Sequence, residues 1–380
     1  MSSTRTASDP NLSFETKSML IDGAWTEAAS GATFDVIDPA TECVIAVAPL
    51  ASAEDVSRAV KAARRAFSEP AWRQMPPLER QAMLLRIADG IEARAEEFAR
   101  LESCDNGKPI GDARAIDVPF AIATFRYMAG WPARTGGDVL NLSTPGGPYH
   151  AYTLRQPVGV AGLIIPWNFP LIMAAMKVAP ALAAGCAMVL KPAEQTPLTA
   201  LLLGEVVMDA GVPAGIFNVI TGDGAETGAA LVAHPGVDKI AFTGSTPVGK
   251  EIGRACAAEV KRVSLELGGK SPMLVLDDAD LDVTIPGAAQ AIFWNSGQVC
   301  FAGSRLYADY KIYDKLVSGL SEIASSLKLG PGVNEETQLG PLVSEGQKAK
   351  VLSLIESGES EGAEIVAGGG EPGGPGYFVQ

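Results

Sequence analysis

One cysteine, Cys300, lies in a loop of small and polar residues that could present its thiol to a substrate. The loop runs from Asn295 to Ser304, and a deprotonated thiol exposed there would be a strong nucleophile. The alternative is an inert core thiol, which is the usual state of a free cysteine. That second interpretation fits the four other cysteines, which lie in apolar, strand-like or helix-like surroundings: Cys43, Cys104, Cys186 and Cys256. No C-x-x-C pair occurs, so we expect reduced thiols in a reducing compartment.

Polar residues follow several apolar runs of strand length, at the point where each run ends. Asn168 follows the first run, and Lys191 and Glu194 follow the second. Ser245 follows the fourth run, and Glu266 lies at the end of the fifth. Open parallel sheets bind their ligands outside the carboxyl ends of their strands. We therefore expect these side chains to converge on one cleft although they are far apart in the chain.

Two glycine-containing turns are candidate phosphate sites. Thr243–Pro247 has the pattern of a strand end, a tight turn and a helix start, where free N–H groups and the helix dipole suit a phosphate. An ordinary capped helix explains the same pattern equally well. Gly222, Gly224 and Gly228 follow the third strand-length run, and such glycines are most often turns. No G-x-G-x-x-G follows the first run, so the usual Rossmann fingerprint is absent.

The elements that would position these residues alternate from residue 158 onward. The strand-length runs are Val158–Ile165, Cys186–Leu190, Ile216–Ile220, Lys239–Phe242 and Arg262–Leu267. Helix-length segments begin between them, near Pro170, Pro197, Ala225 and Thr246. This alternation predicts right-handed βαβ units and an α/β fold with a doubly wound parallel sheet. A second α/β region follows Gly268 and Gly269, with segments at Met273–Leu276, Asp280–Trp294 and Arg305–Tyr307.

The chain before this sheet is predicted to be mainly helical. Ser52 is a candidate N-cap with Asp55 three residues on, followed by an amphipathic pattern. A second helix is predicted to begin after Pro76-Pro77 and to run without a break to a stop at Asn106-Gly107. The Gly- and Pro-rich stretch Gly136–Pro157 contains one strand-like piece, Tyr149–Leu154, and is predicted to be an arm.

Composition excludes several classes of partner. The net charge of −14 has the wrong sign for a nucleic-acid backbone, so no nucleic-acid partner is expected. Two histidines cannot make a His-rich metal site, and no metal is expected. The uncharged stretch Gln156–Met176 is interrupted by three prolines and Asn168, which argues against a membrane span. The amino terminus lacks a signal-peptide pattern, so we expect a soluble, cytoplasmic protein with no membrane partner.

Five motifs occur in order along the chain: Ile164–Pro170, Leu190–Glu194, Phe242–Thr246, Leu265–Lys270 and Gly297–Cys300. Together they resemble the aldehyde dehydrogenase superfamily, and the resemblance extends from about Met19 to the end of the chain. It implies a discontinuous NAD-binding domain over residues 1–138 and 158–267. It also implies an oligomerisation arm over residues 139–157 and a catalytic domain over residues 268–380.

The resemblance implies a role for four residues in the reaction. Cys300 resembles the nucleophile that attacks an aldehyde carbonyl, giving a thiohemiacetal and then a thioester. The side-chain amide of Asn168 and the backbone N–H of Cys300 resemble the oxyanion hole. Glu266 resembles the general base that activates water to release a carboxylic acid. Lys177 resembles a lysine behind the proton path.

The resemblance also implies that the cofactor is NAD. Lys191 and Glu194 resemble the pair that holds the adenosine ribose, and a carboxylate there disfavours the 2′-phosphate of NADP. Gly244 and Ser245 resemble the pyrophosphate site. The full set of implied cofactor-binding residues is Ile164, Ile165, Pro166, Trp167, Asn168, Lys191, Glu194, Gly224, Gly228, Phe242, Gly244, Ser245, Val248, Leu267, Gly268, Gln347 and Lys350.

The substrate is expected to be an apolar or aromatic aldehyde. The positions expected to line its throat are all apolar, and several are aromatic or adaptable. They are Phe169, Met173, Met176, Phe293, Trp294, Val299 and Phe301. The family resemblance further implies a homo-oligomer, either a dimer or a tetramer, for a full-length chain.

Family members continue past the position of Gln380, with a Glu-Ile-Phe-Gly-Pro type motif that grips the nicotinamide ribose and a tail strand that pairs with a neighbouring subunit. The chain is therefore expected to be either a fragment or a truncated paralogue.

Two alternatives to an aldehyde-oxidising enzyme follow. One is an inactive, NAD-binding truncated paralogue. The other is a CoA-acylating relative, which needs no base for hydrolysis, and Glu266 argues against it.

Overall fold

The computed structural model describes residues 18–380. Its strands are β1 Met19–Ile21, β2 Ala24–Thr26, β3 Thr33–Asp38, β4 Cys43–Pro49, β5 Val139–Leu140, β6 Ala151–Tyr152, β7 Val160–Ile164, β8 Ala187–Lys191, β9 Phe217–Val219, β10 Lys239–Gly244, β11 Arg262–Leu267, β12 Pro272–Val275 and β13 Arg305–Ala308. Its α-helices are α1 Ala53–Ser68, α2 Pro70–Arg73, α3 Pro77–Ala93, α4 Ala95–Asn106, α5 Ile110–Asp112, α6 Val118–Ala129, α7 Pro170–Ala184, α8 Leu198–Asp209, α9 Ala229–Ala233, α10 Thr246–Ala258, α11 Leu281–Phe293, α12 Tyr313–Ser326 and α13 Glu345–Ser360.

A seven-stranded sheet forms the centre of the fold, in the order β11-β10-β7-β8-β9-β1-β2. The five strands from β11 to β9 are parallel, which confirms the predicted doubly wound α/β architecture. Every residue of β7 and β8 is buried, as expected for central parallel strands with helices on both faces. The chain moves outward from β7 in one direction to β9 and then restarts beside β7 with β10, so a topological switch point lies between β7 and β10.

The amino-terminal part differs from the sequence prediction in three ways. The helix predicted to run unbroken from Pro77 to Asn106 is two helices, α3 and α4. Arg94 leaves the helical region between them at φ −112° and ψ 23°, and its guanidinium binds Glu97 and Glu205. The strands β1 and β2 extend the main sheet in antiparallel fashion, and β3 and β4 form a separate hairpin. Strands of three residues carry too little periodicity to be recognised in a sequence.

The predicted arm is only partly strand. Its strand-like piece, Tyr149–Leu154, contributes just the two residues of β6, which pair with β5. Apolar side chains on this hairpin are exposed, including Val139, Leu154 and Tyr152. The short pairing therefore leaves an apolar surface on the arm.

A second, smaller α/β region follows the main sheet, as predicted. Strands β12 and β13 pair in parallel, and helices α11 and α12 pack beside them. Its core contains Val275, Ile312 and Leu316. A separate apolar cluster of Phe169, Ile172, Val299 and Ala302 joins this region to the start of α7.

Asp55 ties the first helix to the chain before it, because its buried carboxylate accepts several hydrogen bonds. The donors are the backbone N–H of Ala29, the backbone N–H and hydroxyl of Ser52, and the guanidinium of Arg58. Asp55→Ala should lower the free energy of unfolding by about 2–3 kcal/mol, because it removes a cap and leaves buried donors unpaired. Urea denaturation measures this loss. Glu54→Ala, in the same turn but exposed, should change stability by less than about 0.5 kcal/mol, and an equal loss in both variants would contradict the assignment.

Candidate functional site

Strand register places the predicted site residues at one edge of the main sheet. Ile164 pairs with Lys191 on one side and with Phe242 on the other. One residue further along, Thr243 pairs with Glu266. The carboxyl ends of β8, β7, β10 and β11 are thus level with one another, and the loops that follow them share one crevice.

A largely apolar cleft of about 750 Å³ lies at this edge and extends along α7. Cys300, Glu266 and Lys177 all line it, although three different elements carry them. Five of the seven predicted substrate residues line it as well: Phe169, Met173, Met176, Trp294 and Phe301. The rings of Phe169 and Trp294 lie 5.1 Å apart between centroids, and those of Trp294 and Phe301 lie 6.3 Å apart.

The two other predicted substrate residues lie elsewhere. Val299 is 9 % exposed and packs with Phe169 in the apolar cluster beside the cleft. Phe293 is the last residue of α11 and is not among the residues that line the cleft. Apolar character alone does not predict which way a side chain faces, and the chain reverses direction between these two positions, at Asn295–Gly297.

That reversal presents Cys300 to solvent. Asn295 and Ser296 adopt left-handed backbone conformations at φ 48° and 56°, and Gly297 continues the turn at φ 72°. Strain of this kind needs support from the surroundings. The Ser296 hydroxyl donates to Gly340 O at 2.8 Å. As a result Cys300 is exposed, whereas Cys104, Cys186 and Cys256 are buried and Cys43 is half-buried.

Asn168 is joined to this loop by two reciprocal hydrogen bonds. Its Nδ2 donates to the carbonyl of Gln298 at 2.7 Å, and Asn295 Nδ2 donates to the carbonyl of Asn168 at 2.9 Å. One N–H of the Asn168 amide is used in this way. Among residues 18–380 the second N–H has no partner, so it remains available as a donor.

Lys177 lies on α7, below Cys300 and Glu266 in the cleft. Burial lowers the pKa of its ammonium group from 10.5 to about 8, Glu266 opposes the shift, and Lys239 adds to it. A lysine with such a pKa exchanges protons near neutral pH. Lys177 thus brings a group with a lowered pKa to the cleft that Cys300 also lines.

A second pocket of about 400 Å³ lies beside the carboxyl end of β8, and Glu194 lines it. Lys191 is buried there, and its Nζ donates to Pro192 O at 2.9 Å and lies 3.8 Å from Glu194 Oε2. Burial lowers the pKa of Lys191, and the nearby Glu194 and Asp223 oppose that shift. Gly228 packs on the stem of this lysine, since a Cβ at Gly228 would lie 3.7 Å from Lys191 Cδ.

The start of α10 follows β10 at the switch point. Ser245 occupies the N-cap position with an extended backbone, but its side chain does not bond to the first turn of the helix. Free N–H groups at the start of a thirteen-residue helix suit an anion. Gly249 lets this helix approach β11 closely, because a Cβ there would lie 2.5 Å from Leu267 Cδ2. Val248 is exposed in the first turn.

The remaining predicted cofactor residues lie in four places. Ile165, Pro166 and Trp167 form the loop between β7 and α7, and the backbone N–H of Ile165 donates to Lys191 O. Gly268 follows β11, and its carbonyl lies 3.5 Å from the Thr246 hydroxyl. Gln347 and the exposed Lys350 lie on α13. Gly224 has open space around the position of a Cβ, as a ligand-lining glycine requires.

Three polar residues with clear positions in the site were not predicted. Asn295 holds Asn168, as described above. The Gln298 side chain donates to Asn295 O and accepts from Val343 N, which joins the loop of Cys300 to the residues before α13. Asn106 donates to Trp167 O at 2.8 Å. The one sequence feature that could have indicated them is the side-chain amide that all three carry. A sequence does not show, however, which carbonyl group such an amide will bind.

Within the described residues, 18–380, no group of three or more His, Cys, Asp or Glu side chains is arranged to hold a metal ion. No helix in that range is both long enough and apolar enough to cross a bilayer.

Comparison with known proteins identifies relatives over nearly the whole chain. Residues 25–380 match the family described as "Aldehyde dehydrogenase family". The chain is 49% identical over 366 residues to the phenylacetaldehyde dehydrogenase of Pseudomonas fluorescens, covering 95% of this chain and 73% of that protein. It is 47% identical over 372 residues to a mitochondrial aldehyde dehydrogenase of Leishmania tarentolae, covering 98% and 74%. Its fold matches the NAD+ complex of an aldehyde dehydrogenase from Bacillus cereus with a TM-score of 0.95 and 46% identity, covering 99% of this chain and 77% of that one.

The lowered pKa of Lys177 gives a testable pH dependence of stability. The folded lysine loses its proton near pH 8, whereas the unfolded lysine keeps it until about pH 10.5, so the unfolded state binds more protons between these values. The free energy of unfolding of the wild type, minus that of Lys177→Met, should therefore rise with pH across this window. Denaturant unfolding of both proteins at pH 7, 9 and 10.5 measures it. A difference that is flat or falls with pH would show that Lys177 is not desolvated.

Proposed function

The chain belongs to the aldehyde dehydrogenase family, and we propose that it oxidises an aldehyde to a carboxylic acid with NAD+ through a covalent intermediate on Cys300. The observation that carries this proposal is that an exposed Cys300 and Glu266 line the same apolar cleft. A nucleophile and a base on separate elements, facing one space, can act in turn on one substrate carbon.

In the first step the Cys300 thiolate adds to the aldehyde carbon, and the carbonyl oxygen becomes an oxyanion. The free N–H of Asn168 and the backbone N–H of Cys300 are the donors for that oxyanion. The hydrogen bonds that join Asn168 to Gln298 and Asn295 support this role, because they fix the amide relative to the thiol. Fixed donors aimed at a developing charge need little reorganisation during the reaction.

NAD fits the residues at the switch point. Glu194 and Lys191 would hold the adenosine ribose, and the open N–H groups at Ser245 would hold the pyrophosphate. Gly224 leaves room for the adenine side. When bound, NAD+ accepts the hydride that leaves the substrate carbon. A carboxylate at Glu194 would repel a 2′-phosphate, which favours NAD over NADP.

In the second half of the reaction Glu266 acts on water. Its carboxylate takes a proton from a water molecule, whose oxygen attacks the thioester carbon. The carbon–sulfur bond then breaks, the carboxylic acid is released, and the thiolate returns. The position of Glu266 at the end of β11, on the same cleft as Cys300, supports this role. Lys177, with its lowered pKa, is placed to pass the proton onward from the buried end of the cleft.

The substrate class that fits the cleft is an apolar or aromatic aldehyde. Phe169, Trp294 and Phe301 form an aromatic wall, and Met173 and Met176 add adaptable apolar surface. The similarity to the phenylacetaldehyde dehydrogenase of Pseudomonas fluorescens supports the same class.

The arm, residues 139–157, would join subunits of a homo-oligomer, either a dimer or a tetramer. The exposed Val139, Tyr152 and Leu154 support this assignment, because an apolar two-stranded ribbon is poorly stable alone in water. The proposed domains are a discontinuous NAD-binding domain of residues 1–138 and 158–267, which the arm interrupts and of which residues 1–17 lie outside the described residues, and a catalytic domain of residues 268–380.

The nucleophile can be tested with matched cysteine variants. Cys300→Ser should lower aldehyde-dependent NADH formation about a thousandfold or more, because Cys186, the other cysteine that lines the cleft, is buried and its burial raises the pKa of its thiol. Cys256→Ala, at a buried cysteine outside the cleft, should retain activity within about twofold. NADH absorbance at saturating aldehyde measures both. Substantial activity in Cys300→Ala would refute the mechanism.

The substrate class can be tested by comparing aldehydes of similar size. Phenylacetaldehyde should have a kcat/KM at least about tenfold above that of betaine aldehyde or succinate semialdehyde, because its ring can pack on Phe169, Trp294 and Phe301, whereas a charged group loses hydration against that aromatic wall. Steady-state kinetics at fixed NAD+ gives the ratio. A preference for either charged aldehyde would overturn the assignment.

A further inference from the structure

We propose that three residues of the buried segment Glu102–Lys108, namely Glu102, Asn106 and Lys108, position the loop that carries Asn168, and that Asn106 is the main positioning residue. The segment comprises the last turn of α4 and the two residues after it. None of its side chains reaches the cleft, so its role is distinct from that of the residues that line the cleft. The inference rests on the proposed function, since it assumes that Asn168 serves the oxyanion.

The segment contacts the loop and the start of α7 at three points, one before Asn168 and two after it. Asn106 Nδ2 donates to Trp167 O at 2.8 Å, directly before Asn168. The Lys108 ammonium lies 4.4 Å from the centroid of the Phe169 ring, directly after it, within the range of a cation–π contact.

The third point is the start of α7. The backbone N–H of Leu171 donates to the two carboxylate oxygens of Glu102, at 3.2 and 3.4 Å. A carboxylate at a helix N-terminus satisfies a free N–H and interacts favourably with the helix dipole. Residues 165–169 lie between β7 and α7, outside any helix or strand, so these contacts supply order that the backbone alone would not.

Burial makes these contacts hard to displace. Lys108 is 2 % exposed, and its Nζ binds Glu102 at 3.2 Å and Asp117 at 2.7 Å, both of which are fully buried. A shift of the loop would take the Phe169 ring from the Lys108 ammonium and the Leu171 N–H from the Glu102 carboxylate, leaving both buried charges with fewer partners, which is unfavourable. The ionic group therefore fixes one end of the loop in a single arrangement.

Of the residues in this segment, Asn106 is the one whose side-chain contacts are most confined to the loop of Asn168. It is fully buried, and its Oδ1 has no partner within residues 18–380, so the bond to Trp167 O is the one hydrogen bond of its side chain there. Burying an amide for one hydrogen bond is costly, which is consistent with a role other than stability.

The neighbouring residue offers a matched control. Asp105 is also fully buried, and its Oδ2 likewise accepts one hydrogen bond from a backbone N–H, that of Leu198 at 3.1 Å. Leu198 begins α8, which does not carry Asn168. Each of the two alanine variants thus removes one buried hydrogen bond of the same segment. Asp105→Ala removes a bond to the start of α8, and Asn106→Ala removes a bond to the loop of Asn168.

The experiment combines two readouts on the purified enzyme. The first is the rate of the NADH burst, which is the fast formation of NADH in the first turnover with phenylacetaldehyde. This rate depends on the oxyanion donors. The second is the rate of alkylation of Cys300 by iodoacetamide, which does not form an oxyanion. Asn106→Ala should slow the burst by about tenfold to a hundredfold, because a small misplacement of a donor is costly in the transition state. Its alkylation rate should stay within about twofold of wild type.

Asp105→Ala should lower the melting temperature by a similar amount and leave the burst within about twofold of wild type. If Asn106→Ala fails to fold, Asn106→Leu, which keeps the side-chain volume and lacks the donor, is read by the same criteria. A wild-type burst in the Asn106 variant, or an equal slowing in both alanine variants, would overturn the proposal. A failure of the proposed function would show itself differently, because Cys300→Ala would then retain aldehyde-oxidising activity.

Discussion

The reciprocal hydrogen bonds between Asn168 and the loop of Cys300 join the two parts of the active cleft. Asn168 belongs to the loop after β7, and Cys300 belongs to the loop after α11, far along the chain. Because each loop supplies both a donor and an acceptor, the amide of Asn168 and the thiol cannot move independently. These contacts also hold the left-handed turn at Asn295 and Ser296, together with the hydrogen bond from the Ser296 hydroxyl to Gly340 O.

Strand register determines what this pair of loops faces. The carboxyl ends of β7, β8, β10 and β11 are level, so Glu266 lies on one side of the Asn168 loop and Lys191 lies on the other. The proposed base and the residues proposed to hold the adenosine ribose therefore lie on opposite sides of the Asn168 loop, whereas Ser245, after β10, lies on the side of Glu266. The Gln298 side chain extends the connection to Val343, immediately before α13, so the thiol loop also contacts the element that carries Gln347.

Much of this arrangement could be predicted from the sequence, because it depends on local pattern and on general rules for parallel sheets. The five central strands and the starts of α7 and α10 follow from alternation and order along the chain, whereas the presence of Cys300 and Glu266 at one site was implied by the family resemblance. The break at Arg94 was missed because neither glycine nor proline stands there, and the contact of Arg94 with Glu205 on α8 depends on the tertiary fold. The buried group at Lys108 was missed for a related reason, since a lysine and two carboxylates look like surface residues until the fold encloses them.

The measurement that tests the central claim most directly is mass spectrometry of Glu266→Gln after mixing with NAD+ and phenylacetaldehyde. If Cys300 is acylated and Glu266 activates the water, this variant should accumulate the acyl group on the peptide that contains Cys300. Its turnover should fall about a hundredfold or more, because the base is lost and the nucleophile is not. The same variant with Cys300→Ala should carry no adduct. Unchanged turnover in Glu266→Gln, or an acyl group on a different residue, would contradict the account.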